Sequence, residues 1–455
     1  MTTLRNLGAA RRSTPGFGKA ARIAALLPLA AATLSIAHSA PAAAQRDPAP
    51  RAVPGIGNDI AAFYRSRGGA PLWFSPTAGP APHQLLQLLS TAAADNMNPN
   101  RYRVRQLAKA VQAAATRRNP AAVQRAEVML SEAFVTYARD LRRDPNVGII
   151  YVDPELRPVP PSPRSLLDQA AASGSISKYI ERMGWMSPVY AQLRRALAAR
   201  MYRSELERQL LVVNLERARA LPSGNHRYAV VNPAAQRLYM YEDGQVVDMM
   251  RVIAGKPAPP IAQTPMMSAL IRFVVLNPYW NAPPDITAQK LAPNVLKQGR
   301  SYLKAKGYQV MSDWTDGARV LDPGTVDWKA VVAGRVPIRL RQLPGPANSM
   351  GRMKFMFPNE QGIWLHDTPQ KELLDEAARL QSNGCVRLQD APRFARWLFG
   401  RPLKAQGTKP EQSVPLPVPV PVYITYLTAV PSGSSIVYFD DVYGLDRRDR
   451  RLASR

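Results

Sequence analysis

A chain of 455 residues, 46% hydrophobic and 20% charged, is too long for one compact core and has apolar material for two or three. Its formal charge of +27 points to anionic surroundings, but no basic cluster is interleaved with aromatics, which argues against a nucleic-acid groove. A single cysteine excludes an intramolecular disulfide and makes a reactive thiol its better use.

Residues 1–44 read as a secretory signal. Arg5, Arg11, Arg12, Lys19 and Arg22 form a basic leader, 23–37 an apolar run, and Ala42-Ala43-Ala44 a cleavage site. The run is about fifteen residues and broken by Pro28, short for a membrane span. Cleavage leaves +22, since the first 44 residues hold no acid. No later segment is apolar enough to cross a bilayer, so the mature chain is expected to have no transmembrane segment. Its charge suits wall peptides bearing carboxylates, or anionic envelope surfaces.

Residues 45–210 are expected to form a mostly α scaffold. After a Pro- and Gly-rich start, helical periods begin at Asn58 and recur over 84–94, 104–116 and 121–141, punctuated by Asn98-Pro99 and Asn119-Pro120. Four prolines within 157–164 mark a linker, and further helices are expected over 166–172 and 188–215. At Arg227 the period changes to two. Strands are expected over 228–232, 237–241, 246–254 and 271–277, with Asp243-Gly244 in the first hairpin turn.

Residues 286–345 interrupt these strands as an α+β insertion, too polar for a sizeable core of its own and placed as a cap over a site. Strands resume at 355–357 and 362–365. Thr368 and Pro369 predict a helix with Leu373, Leu374, Ala377 and Leu380 on its apolar stripe. A short strand at 385–388 and a helix over 391–399, capped by Asp390 and ended by Gly400, come next. The proline-spaced run 414–422 cannot be a central strand. The fold class is thus multidomain: a mostly α scaffold, then a mostly β catalytic domain over 211–400 with its capping insertion. Strands within 401–455 are expected to pack on both.

The chemistry gathers at Trp364-Leu365-His366-Asp367-Thr368-Pro369 and Ser382-Asn383-Gly384-Cys385-Val386-Arg387-Leu388. A nucleophilic cysteine needs a base and donors for the oxyanion. His366, nineteen positions before Cys385, meets it if the two lie on adjacent strands. Asp367, through its carboxylate or its carbonyl, is the nearest group to fix the imidazole tautomer. Gly384 lets the backbone before Cys385 approach a substrate. His38 falls in the leader, His83 beside a helix start and His226 in a turn, all poor competitors. Papain-like peptidases place Cys before His, the reverse of this order. No ligand spacing for zinc exists, so neither metal nor cofactor is expected.

The two segments resemble the signature of the L,D-transpeptidases, the YkuD-type catalytic domain, and most closely its larger Gram-negative, YcbB-like members. Val213-Asn214-Leu215-Glu216-Arg217, Asn277-Pro278-Tyr279-Trp280, Arg341-Gln342 through Gly345-Pro346 to Asn348, and Pro419-Val420-Pro421-Val422 extend the likeness. The resemblance implies a periplasmic enzyme without cofactor. Cys385 would attack the bond between diaminopimelate and D-alanine in a tetrapeptide stem, and a second stem's amine would resolve the thioester into a 3→3 cross-link. It implies His366 as proton acceptor and donor, the residue 367 carbonyl as its orienter, and Gly384 and Cys385 as oxyanion backbone. Ser382, Asn383, Arg387 and Trp280 stand on the substrate side. Acylation of Cys385 by carbapenems would follow.

Two departures stand out. Many members carry histidine where Asn383 stands, and YcbB-like members carry a peptidoglycan-binding domain for which 197–211 leaves no room. The residues leave open attachment of wall peptide to an envelope protein, hydrolysis of such links, or a non-catalytic wall-binding scaffold.

Overall fold

The computed structural model describes residues 55–117, 119–224, 226–257, 263–447 and 449; the leader expected at 1–44 lies outside them. The first helices are α1 (Ile56–Ser66), α2 (Ala81–Ser90), α3 (Val104–Arg117) and α4 (Pro120–Leu141). A two-residue strand, β1 (Ile150–Tyr151), precedes α5 (Pro163–Ala172), α6 (Ile176–Glu181), α7 (Pro188–Ala198) and α8 (Glu205–Ala218). Asn119, Ser162, Ser175, Ser187 and Ser204 each accept a first-turn N–H, while Pro120, Pro163 and Pro188 sit where no donor is needed.

The helix expected over 188–215 is two helices. Arg200 adopts left-handed backbone (φ 56°) beyond α7, and Ser204 then caps a new start. Leu211, Leu215 and Ala218 are buried in one cluster with Trp73, Phe134 and Trp185, which also takes in Tyr228 and Tyr423 of the β region. No helix among the described residues is long and apolar enough to cross a membrane.

The β region opens with β2 (Tyr228–Asn232), β3 (Arg237–Glu242), β4 (Gln245–Gly255) and β5 (Met267–Leu276). The cap follows: β6 (Trp280–Ala282), α9 (Pro284–Ile286), a π-helical turn at Thr287–Leu291, α10 (Ala292–Gln298), α11 (Ser301–Ala305), β7 (Tyr308–Met311), β8 (Val320–Leu321), α12 (Trp328–Val332) and β9 (Arg339–Gln342). Contrary to its polar reading, the cap has a core: Leu291, Val295, Val310, Trp328 and Leu340 are buried against the sheet β6-β9-β7-β8. One or two apolar residues per short element assemble it, a pattern that carries no period along the chain.

The main sheet resumes with β10 (Met353–Met356), β11 (Leu365–His366), β12 (Leu380–Ser382) and β13 (Val386–Leu388). Helix α13 (Ala391–Phe399), strand β14 (Gln412–Ile424) and a hairpin of β15 (Ala429–Ser432) and β16 (Ser435–Tyr438) complete it. The order β5-β10-β11-β13-β4-β3-β2-β14 closes on itself, because β14 pairs with both β2 and β5. The interior is packed with Val231, Leu238, Val274, Phe355, Leu365 and Val386.

Strand β14 thus overturns the expectation that the proline run is excluded from the sheet's middle. Pairing with β5 lapses between Pro415 and Val420, and pairing with β2 begins only at Val422, past the last proline. Pro417 and Pro419 fall within that lapse, where no ladder donor is demanded, while Pro415 and Pro421 keep register with Phe273 and Leu270. The helix expected from Thr368 is likewise absent, leaving one 3-10 turn at Lys371–Leu374. Lys371 reaches Asp367 and the carbonyls of Leu388 and Gln389, while Gln236 accepts the Arg379 N–H. These long-range bonds outweigh a weak local helix preference.

Candidate active site

Strands β10, β11 and β13 lie side by side, with Lys354 opposite His366 and His366 opposite Arg387. Laterally paired residues point to one face of a sheet. Phe355, Leu365 and Val386, one position along, point the other way into the barrel core. Cys385, two residues before Arg387, returns to the His366 side. The nineteen-residue interval is therefore spent on a connection, through the 3-10 turn and β12, between two parallel neighbouring strands.

His366 is 3% exposed. Its Nδ1 lies 2.5 Å from the Asp367 carbonyl oxygen, which can only accept, so Nδ1 carries the hydrogen and Nε2 keeps its lone pair. Of the two ways Asp367 could orient the ring, the carbonyl is the one used. The carboxylate turns elsewhere, accepting from Arg352 N–H (2.9 Å) and Lys371 Nζ (2.7 Å). Gly351 makes room for it, since a Cβ there would fall 2.5 Å from Asp367 Oδ2.

The segment before the thiol is a tight turn. Ser382 Oγ accepts from Gly384 N–H (3.2 Å) and donates to the Cys385 carbonyl (2.5 Å). Gly384 has φ 107°, and a Cβ there would meet Ile363 Cδ1 at 2.9 Å. The turn is braced from outside: Thr264 Oγ1 donates to the Gly384 carbonyl (2.7 Å) and accepts from Gly255 N–H (2.8 Å), and Tyr443 OH donates to the Gly255 carbonyl (2.7 Å). The Cys385 N–H has no acceptor among the described residues, whereas that of Gly384 is occupied by Ser382. The thiol itself rests 3.6 Å from the Gly362 carbonyl.

Burial pushes the Cys385 thiol up, opposed by a backbone hydrogen bond at Trp364, the Lys354 ammonium and the Arg387 guanidinium. Burial first, and Arg387 second, push His366 down to about 3, so the imidazole is neutral. Lys354 sits with Nζ 4.2 Å from the Trp364 ring centroid, lowered by burial and raised by Cys385. Arg387 donates to Gln370 Oε1 (3.0 Å). Neither cation makes a salt bridge among the described residues.

The sequence candidates divide. His366, Asp367, Gly384, Cys385 and Arg387 come together. Asn383 is exposed beside them and accepts from Lys290 Nζ (3.3 Å). Ser382 is 1% exposed with both its bonds internal, so it shapes the turn instead of facing a substrate. Trp280 belongs to the cap, packed on its core and 6.2 Å from the Tyr308 ring. Lys354, Thr264 and Tyr443 escape the sequence reading, because only tertiary pairing brings them to Cys385. A cavity of about 260 Å³ between scaffold and barrel, lined by Pro188, Tyr239, Tyr241 and Leu427, lies apart from this chemistry.

Comparison with known proteins agrees with this geometry. Residues 226–423 match the L,D-transpeptidase catalytic domain (YkuD), and residues 58–197 match a scaffold domain. A Haemophilus influenzae protein described as a candidate L,D-transpeptidase is 32% identical over 247 residues, which is 53% of this chain and 48% of that protein. The chain thus spans about half the length of that curated relative. The barrel around Cys385 and His366 thus lies in the region that matches the L,D-transpeptidase catalytic domain (YkuD), behind a helical region that matches a scaffold domain.

Proposed function

We propose that this chain is an exported transpeptidase of the bacterial cell wall, working in the periplasm with Cys385 as nucleophile. The observation that carries the reading is the pinned tautomer of His366: Nδ1–H is committed to the Asp367 carbonyl, leaving Nε2 as the one basic atom beside the cysteine strand. Nε2 takes the S–H proton as Sγ attacks the carbonyl joining diaminopimelate to D-alanine in a tetrapeptide stem. The oxyanion is met by the Cys385 N–H, joined by the Gly384 N–H once Ser382 releases it. The C–N bond breaks, the imidazolium returns its proton to the leaving amine, and D-alanine departs.

A thioester on Cys385 remains. The amine of a second stem's diaminopimelate attacks it and gives its proton to His366, and the thiolate that leaves recovers that proton, completing a 3→3 link. Lys354 and Arg387 add their charges to stabilise sulfur as it becomes anionic. The basic leader supports export, and the high positive charge supports work among carboxylate-bearing wall peptides.

The test is peptide analysis of purified wall with and without Cys385, beside intact-protein mass of the enzyme mixed with tetrapeptide stems or a carbapenem. Cross-linked 3→3 dimers and a covalent adduct, both lost in Cys385→Ala, are the expected result. Dimers made equally well by Cys385→Ala would overturn the reading. Dimers consumed instead of made would reassign the domain to hydrolysis.

A further inference from the structure

The face around Cys385 carries more positive charge than the chemistry above consumes. Lys256 directly follows β4, and its N–H donates to the Ser382 carbonyl (3.1 Å). Lys290 sits in the cap's π-helical turn and donates from Nζ to Asn383 Oδ1 (3.3 Å). Both lysines are thereby tied to the two residues that precede Gly384-Cys385. Lys256 and Arg387 both act on the Lys290 ammonium, so three positive charges share this face. Burial, then Lys256, depress the Lys290 pKa; Asp285 is the weakest influence and the one that opposes them.

Two ammonium groups offer six N–H donors and no acceptor, so each gains nothing from the other and repels it. Such a pair is stabilised by an anion placed between its members. A π-turn adds a residue to a helix and re-aims the side chains around it, and it recurs at functional sites. Here it presents a cap side chain to the catalytic loop of the barrel, so the cluster exists only when cap and barrel act together.

We propose that Lys256 and Lys290 form a carboxylate-binding subsite beside Cys385, which selects donor peptides with a free side-chain carboxylate over the same peptides amidated. The inference rests on the transpeptidase reading for the identity of the donor, and it assigns the cap a role in substrate choice. A carboxylate accepts from both ammonium groups. The isosteric amide brings no charge and turns an NH₂ donor toward two donors, leaving polar groups unpaired. Asn383 supplies the oxygen that holds Lys290 in place.

The experiment uses the full chain as Cys385→Ala, which binds without reacting, titrated calorimetrically with two tetrapeptide stems. The stems differ only in a free or amidated diaminopimelate carboxylate. The free acid is expected to bind about tenfold more tightly, the scale of one charge-assisted hydrogen bond. Lys256→Met with Lys290→Met should bring the ratio towards one, and Lys290→Arg should keep most of it. Equal binding of the two stems, binding of neither, or a preference that survives the double substitution in a chain of unchanged melting temperature overturns the subsite. Turnover by the Cys385-intact chain is read separately. A preference in binding without turnover leaves the subsite standing and the enzyme reading failed; equal turnover of both stems does the opposite.

Discussion

The scaffold and the catalytic face treat positive charge in opposite ways. In the scaffold, Arg194 is paired with the fully buried Asp95 (3.0 Å), which also accepts from Tyr137 OH (2.6 Å) and Tyr190 OH (2.7 Å). Arg217 is likewise paired with Asp446 (2.6 Å). Around Cys385, Lys256, Lys290, Lys354 and Arg387 converge without a salt bridge among the described residues. A buried ion with its partner holds elements together, and taking one partner away leaves an uncompensated charge. Cations left without carboxylates give up that stability and keep their charge for something that arrives: a thiolate, an oxyanion or a substrate.

The comparison can be broken at several points. Cys385→Ala should abolish the thioester seen by intact mass while leaving the unfolding transition in place, the largest effect on function. His366→Gln should lower kcat/KM by about 10²–10⁴, the range lost with a general base, measured on the tetrapeptide donor. In the scaffold the matching change is Asp95→Ala, expected to cost about 3–5 kcal/mol in urea unfolding by stranding Arg194.

A smaller effect separates the two kinds of cation. Lys354→Met should leave stability nearly unchanged and move the pH profile of Cys385 alkylation to higher pH, with Lys354→Arg restoring it. An unmoved profile would assign Lys354 to packing alone.

The smallest effect concerns acid. The folded His366 pKa lies near 3, below the ordinary 6.5, so between these values the unfolded chain binds the extra proton. This residue's contribution is complete above about pH 6.5 and is lost as pH falls towards 3. His366→Gln should flatten that part of the stability–pH curve.

Much of the architecture was legible in the chain. The 3.6-residue periods, the Asn and Ser caps and the Asp243-Gly244 turn mark scaffold and sheet, and they are local signals. The order of His366 and Cys385, with Gly384 before the thiol, pointed to the proposed reacting pair for the same reason. Three readings failed where distant partners outvoted local preference. The helix after Thr368 gave way to the bonds of Lys371, the cap's core was assembled from scattered single residues, and the proline run found strand partners on both β5 and β2.

From the sequence alone Cys385, His366 and Gly384 stand out as candidates, because a lone cysteine, a rare histidine and a residue free to take φ 107° are intrinsic to residue type. Tertiary structure alone decided the charge around them. Lys256, Lys290 and Lys354 lie between 31 and 129 positions from Cys385, and none carries a mark that distinguishes it from the other basic residues. Register places Lys354 in the row with His366, and the cap's π-turn brings Lys290 to Asn383. Electrostatic effect depends on distance through space and on what water is excluded, and the order of residues along a chain states neither.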